Sequence, residues 1–306
     1  MMRPRVAILG AGAMGTVFAY YLAEHADVTL VDVRGDVVDA IAAQGGVSVD
    51  DAPVRPVTAT QDPAKTYATN YLFVFVKAPF TLAALRPYAQ QLNPATPIIS
   101  LQNGLGNEEA IKAAVGGTVP LLIGITNVAG ISIGFGRSRR LGVGTTVLGS
   151  AGASHSTSQT VMQLLQRAGL DASVVYDIAP HLWGKLIANA AINPVAALLD
   201  AKNAIVERDP DAADLARAIV LEGAAVAKAM KIALPMSDPW EYVRGVIASS
   251  IDGRNSMTVD LNARAKTEIE QINGAIVSAG RRAGVATPYN EAMLRLVKAK
   301  ERVLPE

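Results

Sequence analysis

The run RVAIL, Arg5 to Leu9, leads directly into Gly10-Ala11-Gly12-Ala13-Met14-Gly15 and then into the helix-forming stretch AMGTVFAYYLA. Glycines at the first, third and sixth positions of this turn leave few folds open. The first permits a tight turn after a buried strand, the second lets backbone amides approach a pyrophosphate, and the third lets helix and strand pack closely. Asp32 ends the next strand-like run, DVTLVD, about 20 residues on, where a dinucleotide-binding βαβ unit carries the carboxylate that meets the adenosine ribose. Gly10, Ala11, Gly12, Ala13, Met14 and Gly15, with Asp32 and Arg34, are the expected cofactor-binding residues. Asp32 favours NAD(H), since its charge accepts hydrogen bonds from a ribose diol and repels a 2′-phosphate. Arg34 favours NADP(H) if it pairs that phosphate, and is otherwise a solvated loop residue.

Short β-branched runs continue to alternate with helical segments: YLFVFV, PIISL, PLLIGI, TTVLG and SVVY as strands, and helices starting near Ala13, Gly35, Phe80, Asn107 and Ser154. Beyond Asp177 the strands stop, and long helices are expected near 179–200, 211–230, 238–250, 256–282 and 289–300. The fold class is therefore α/β, with a Rossmann-type doubly wound parallel sheet over residues 1–176 and an all-helical substrate and catalytic domain over 177–306. Neither an internal repeat nor a low-complexity linker interrupts the chain, which predicts closely packed domains with a cleft between them.

Composition narrows the partners. Half of the residues are apolar and only 18% charged, and the net charge of +1 is spread along the chain, so no electrostatic footprint for nucleic acid or an anionic membrane is present. Cysteine is absent, which excludes disulfides, thiolate catalysis and Cys-ligated zinc. His25, His155 and His181 lie far apart without metal-ligand spacing, so no metal site is expected. The uncharged run Val119 to Gly136 is interrupted by four glycines and is better read as buried strands than as a membrane span. The partner expected is a small molecule.

Two strands end in polar residues, YLFVFV at Lys77 and PIISLQ at Asn103, on the sheet edge where doubly wound folds hold ligands. A snorkelling lysine and an Asn-Gly turn are the plainer alternatives. Farther on, WGKLIANAAINP (183–194) places Lys185, Asn189 and Asn193 at i, i+4 and i+8 among alanines and isoleucines. At about 100° per residue the three share one helix stripe, and burying such groups unpaired costs roughly 1–3 kcal/mol each. A second polar cluster, residues 254–274, holds Ser256, expected at a helix start, and Glu268. By themselves these read better as an N-cap and as an exposed acid paired with Arg264.

Taken together, GAGAMG (10–15), VKAP (76–79), QNGLG (102–106), WGKLIANAAINP (183–194) and NSMTVDLNARAKTEIEQING (255–274) resemble ketopantoate reductase (2-dehydropantoate 2-reductase) over essentially the whole chain. Their order and spacing are far more specific than any one segment. The resemblance implies NAD(P)H-dependent reduction of 2-dehydropantoate to (R)-pantoate in the pantothenate and coenzyme A pathway, by a cytoplasmic enzyme that is a monomer or homodimer. It implies Lys185 as proton donor, Glu268 as the acid that contacts substrate and helps hold the site, and Asn189, Asn193 and Ser256 as substrate ligands. Lys77 and Asn103 are then expected to serve both cofactor and substrate. NADP(H) is the cofactor the resemblance suggests, and Asp32 keeps NAD(H) open. Gly184 is a departure, since a charged residue is expected between the tryptophan and the lysine. The alternatives to this reading are another 2-oxo acid reductase or opine-type dehydrogenase on the same scaffold, and a dinucleotide-binding sensor without turnover. A sensor would have no use for the lysine and asparagine stripe.

Overall fold

The computed structural model describes residues 3–117, 119–142 and 144–303. In chain order the strands are β1 (Arg5–Leu9), β2 (Asp27–Val31), β3 (Ser48–Val49), β4 (Thr58–Thr60), β5 (Tyr71–Val74), β6 (Ile98–Ser100), β7 (Leu121–Thr126), β8 (Gly130–Gly134), β9 (Arg137–Arg140), β10 (Thr146–Ser150) and β11 (Ala172–Val175). The helices are α1 (Ala13–Leu22), α2 (Gly35–Gln44), α3 (Thr81–Leu85), α4 (Asn107–Val115), α5 (His155–Arg167), α6 (Ala179–Leu198), α7 (Ile205–Arg208), α8 (Pro210–Ala229), α9 (Pro239–Ser249), α10 (Ser256–Asn262), α11 (Asn273–Ala283) and α12 (Pro288–Val303). They form two compact units: residues up to Gln102 with Asn107–Ile178, and Asn103–Gly106 with the residues from Ala179 onward.

The first unit is built on an eight-stranded sheet in the order β11-β10-β7-β6-β5-β1-β2-β4. Its central strands are buried, largely apolar runs, with only Tyr71 at the start of β5 partly exposed, as expected of a parallel sheet covered on both faces. β1 lies between β2 and β5, so the strand order reverses there, and this switch point opens at the carboxyl ends of β1 and β5. β10 departs from the parallel pattern, pairing antiparallel with β7. The reason is the connection: the chain returns from β7 through the β8–β9 hairpin rather than through a helical crossover. That hairpin and β3 make a second, three-stranded sheet, which the alternation of strands and helices did not suggest. Only part of the run Val119 to Gly136 is a buried strand, because β7 is buried throughout whereas β8 is mostly exposed.

The second unit is helical. α6 is buried almost all round, and from Trp183 to Ala197 only Lys185 and Asn189 are more than slightly exposed. α8, α10 and α12 pack on it, and its apolar core joins Trp183, Ile187 and Ile192 to Ile219, Val243 and Ile276. Gly223 lets α8 approach α6, since a Cβ there would stand 2.9 Å from Ile187. The single helix expected over 256–282 is two, α10 and α11, separated by turns. Side-chain hydrogen bonds win over helix propensity in this stretch: the Thr267 amide and hydroxyl donate to Glu301 at 2.8 and 2.7 Å, and Arg264 takes a positive φ of 54°. Among the described residues no helix is long and apolar enough to cross a membrane.

The glycine turn yields a paired test. A Cβ on Gly15 would stand 1.9 Å from the Gly10 carbonyl oxygen, whereas one on Gly12 would meet nothing within 4 Å. Gly15→Ala should therefore cost about 1–3 kcal/mol of stability, visible as a lowered Tm. Gly12→Ala should keep the parent Tm and weaken dinucleotide binding, since its methyl projects into the space a pyrophosphate needs. Equal melting of the two variants would remove the distinction.

Candidate active site

In the first unit the β1–α1 turn is shaped for an anion. Gly10 has φ +98°, and a Cβ there would lie 2.9 Å from the Val76 amide nitrogen, so the turn sits hard against the segment that follows β5. α1 starts at Ala13 without a side-chain cap, leaving the first-turn amides available to a ligand. With open space at Gly12, these features suit the pyrophosphate of a dinucleotide. Asp32 extends the cradle: its carboxylate accepts from the Ala11 amide at 2.8 Å and from the Arg34 amide at 3.0 Å. Arg34 turns to Asp36, donating at 2.6 and 3.2 Å, and lies over the Phe135 ring at 4.8 Å. The Arg34 hydrogen bond holds the Asp36 carboxyl below the usual carboxylate range.

Lys77 follows β5 and caps a short 3₁₀ turn, Ala78–Phe80, on the same sheet edge as Gly10. The residue that fixes this loop lies outside the expected site residues. Gln102, buried at the end of the segment after β6, donates from Nε2 to the Val76 carbonyl at 2.6 Å and to the Thr81 hydroxyl at 2.7 Å. Its Oε1 accepts from the Ser100 hydroxyl at 2.8 Å. A glutamine beside an Asn-Gly pair carries no sequence signal for such a role.

The second unit collects the polar residues of α6 and of the turns after α10. Lys185, Asn189 and Asn193 share one continuous helix, as their spacing predicts, and Asn193 is only 5% exposed. Burial pushes the Lys185 ammonium down to about 8, while the nearby Glu268 carboxylate pulls it back toward the charged form. Glu268 lies in a turn after α10 ends, so the helical pairing with Arg264 considered from sequence has no helix to rest on. The turn is anchored by Thr267 on Glu301, and the Gln271 and Ile272 amides donate to the Glu268 carbonyl at 3.1 and 3.0 Å. Asn103 belongs to this unit and donates from Nδ2 to the Glu268 carboxylate at 3.2 Å. Its loop comes close because Gly104 has no side chain: a Cβ would stand 2.4 Å from the Gln271 carbonyl oxygen, and the Leu105 amide donates to that oxygen at 2.9 Å.

Ser256 is exposed and is the first residue of α10, but the cap is Asn255, whose side chain accepts from the Thr258 amide at 3.0 Å. Gly184 has a packing explanation. The segment Pro235–Met236 lies against it, with the Met236 methyl 3.0 Å from where a Cβ would be, so a larger side chain would have to displace Met236.

Residues 6–153 match the family described as Ketopantoate reductase PanE/ApbA, and residues 177–301 match Ketopantoate reductase PanE/ApbA C terminal. A 2-dehydropantoate 2-reductase of Pyrobaculum aerophilum is 33% identical over 305 residues, 96% of this chain and 97% of the relative. Among solved structures, a PanE/ApbA family ketopantoate reductase from Ralstonia eutropha JMP134 superposes with a TM-score of 0.89 at 27% identity, covering 97% of this chain and 98% of its own. D-mandelate dehydrogenase in complex with NADH gives a TM-score of 0.88 at 27% identity, covering 98% and 100%. The chain thus belongs to the ketopantoate reductase PanE/ApbA family and is an NAD(P)-dependent oxidoreductase.

Proposed function

We propose that this protein reduces ketopantoate to (R)-pantoate, with Lys185 as the proton donor. The observation that carries the reading is the geometry of Lys185: it is partly buried on a helix stripe with Asn189 and Asn193 and lies near the Glu268 carboxylate, and desolvation pushes its ammonium down to about 8. An acid whose pKa lies near the working pH is both protonated and ready to give its proton up. The amides of Asn189 and Asn193, with the Ser256 hydroxyl, bind and orient the keto acid. As negative charge grows on the ketone oxygen, the Lys185 ammonium stabilises it and transfers a proton from Nζ, leaving a neutral amine and a 2-hydroxy acid. Glu268, oriented by Asn103, keeps Lys185 charged before that transfer. The amides from Gly10 to Gly15, Asp32 and Lys77 hold the cofactor, which when bound supplies the hydride to the ketone carbon. Synthesis of pantothenate and coenzyme A in the cytoplasm is the role that goes with this substrate.

The cofactor reading favours NADH. The Asp32 carboxylate is fixed at the end of β2 by two backbone amides, and Arg34 is already committed to Asp36 and Phe135. A 2′-phosphate there would meet two carboxylates and a guanidinium whose charge is already matched. A second reading, another 2-oxo acid, is favoured by the likeness to D-mandelate dehydrogenase, which was solved with NADH and with anilino(oxo)acetate.

Initial rates with ketopantoate and phenylglyoxylate, each with NADH and NADPH, separate these readings. Ketopantoate should give the higher kcat/KM, and NADH should exceed NADPH by about tenfold or more. Preference for phenylglyoxylate would defeat the substrate assignment, and preference for NADPH the cofactor assignment. Lys185→Ala should lower kcat by about 10²–10⁴ with dinucleotide affinity unchanged; near-parental turnover would remove Lys185 from the mechanism. Because reduction needs the protonated amine, kcat/KM for the keto acid should be flat below Lys185's pKa of about 8 and fall as pH rises through it. The reverse oxidation should rise through the same range, and a reduction profile that increases above it would contradict the role.

A further inference from the structure

Pro194 lies inside α6, where its missing N–H leaves the Ala190 carbonyl without its helical donor and its ring presses on that same carbonyl. Ala190 is fully buried, so water does not fill the gap. The donor comes from another helix. Asn273, the first residue of α11 and itself 0% exposed, donates from Nδ2 to the Ala190 carbonyl at 3.1 Å.

The same Nδ2 donates to Asn290 Oδ1 at 3.1 Å, and Asn290 Nδ2 donates to the Ile219 carbonyl at 3.2 Å and to Glu222 Oε2 at 2.8 Å. Glu222 also accepts from the Tyr289 and Asn290 amides, both at 2.9 Å. Each amide nitrogen thus faces two acceptors, which fixes the direction of both side chains and polarises the chain toward one carboxylate. Asn273 Oδ1 is buried with no partner among the described residues. An apolar side chain would remove that penalty, but it would also leave Ala190 without a donor.

The tie joins the two segments that matter for proton transfer. Ala190 follows Asn189 directly and lies between Lys185 and Asn193 on α6. Asn273 follows the Glu268 turn, to which it is coupled through the Ile272 amide on the Glu268 carbonyl and the Gly274 amide on the Ile269 carbonyl. We propose that Asn273 is a positioning residue: by hydrogen bonding the carbonyl that Pro194 strips of its donor, it fixes the Glu268 turn on α6 and sets the geometry of Lys185, Asn189 and Asn193. The inference rests on the reading of those four residues as the proton donor, its partner carboxylate and the substrate ligands.

A cycle of Asn273→Ala, Pro194→Ala and the double variant tests it, because an alanine at 194 returns the backbone N–H to Ala190. Asn273→Ala should lower kcat/KM for the keto acid by about tenfold or more, equivalent to about 1.4 kcal/mol of lost transition-state stabilisation, with dinucleotide Kd unchanged. In the Pro194→Ala background the same change should have a much smaller effect. Equal losses in both backgrounds, or no loss from Asn273→Ala, would overturn the proposal. Asn273→Asp covers the case in which the alanine variant does not fold. Its carboxylate would face two acceptor oxygens, and only its protonated form can donate, so its activity relative to the parent should recover as pH falls; a pH-independent ratio would count against the tie. Hydrogen exchange along α6 reads the same tie without turnover and should be faster in Asn273→Ala but near parental in the double variant. If the parent reduces no keto acid, the functional reading fails; unchanged exchange in Asn273→Ala would sink the positioning role on its own.

Discussion

An ammonium in a nearly all-apolar helix is the constraint around which the helical unit is arranged. Removing Lys185 from water disfavours its charged form, and the carboxylate of Glu268 restores part of what burial takes away. That balance needs Glu268 at a fixed place on a segment that is not a helix. The turn is held from three directions: Thr267 on Glu301 of α12, Asn103 on the carboxylate itself, and Asn273 on the Ala190 carbonyl of α6. Each is a hydrogen bond between residues far apart in sequence, so the charge state of one lysine depends on the packing of the whole unit. Gly104 and Gly223 serve the same end by letting segments approach where a Cβ would collide.

The dinucleotide unit solves a different problem, that of presenting backbone amides to an anion without a side chain in the way. The reversal of strand order beside β1 creates the crevice, Gly10 and Gly15 bring the turn against the β5 segment and α1 against the turn, and Gly12 keeps the approach clear. Asp32 anchors the turn by accepting from the Ala11 amide. Phe135, on the hairpin after β7, reaches Arg34 just beyond the end of β2.

What could be read from the sequence was what is local. The glycine turn, the strand–helix alternation and the Lys185–Asn189–Asn193 stripe follow from spacings within a few turns of chain, and the structure carries all three. The short strands β3, β4 and β9 escaped because they are two to four residues long, and β8, inside a run read as buried strand, is instead a mostly exposed hairpin strand of the second sheet. The helix expected over 256–282 was wrong because Thr267 and Glu268 bond to residues distant in sequence. Pro194 shows the limit most clearly. The sequence announces that one carbonyl of α6 lacks its donor, but that Asn273 supplies it becomes visible only when α11 is folded onto α6.

Proton donation by Lys185 requires a desolvated ammonium sustained by Glu268. The most direct measurement is the titration of the Lys185 amine by NMR in the parent protein and in Glu268→Gln. The midpoint should be about 8 in the parent and lower in the variant, since the attraction that opposes desolvation is gone. A midpoint near 10.5, the ordinary lysine value, or a midpoint that does not move in Glu268→Gln would contradict it.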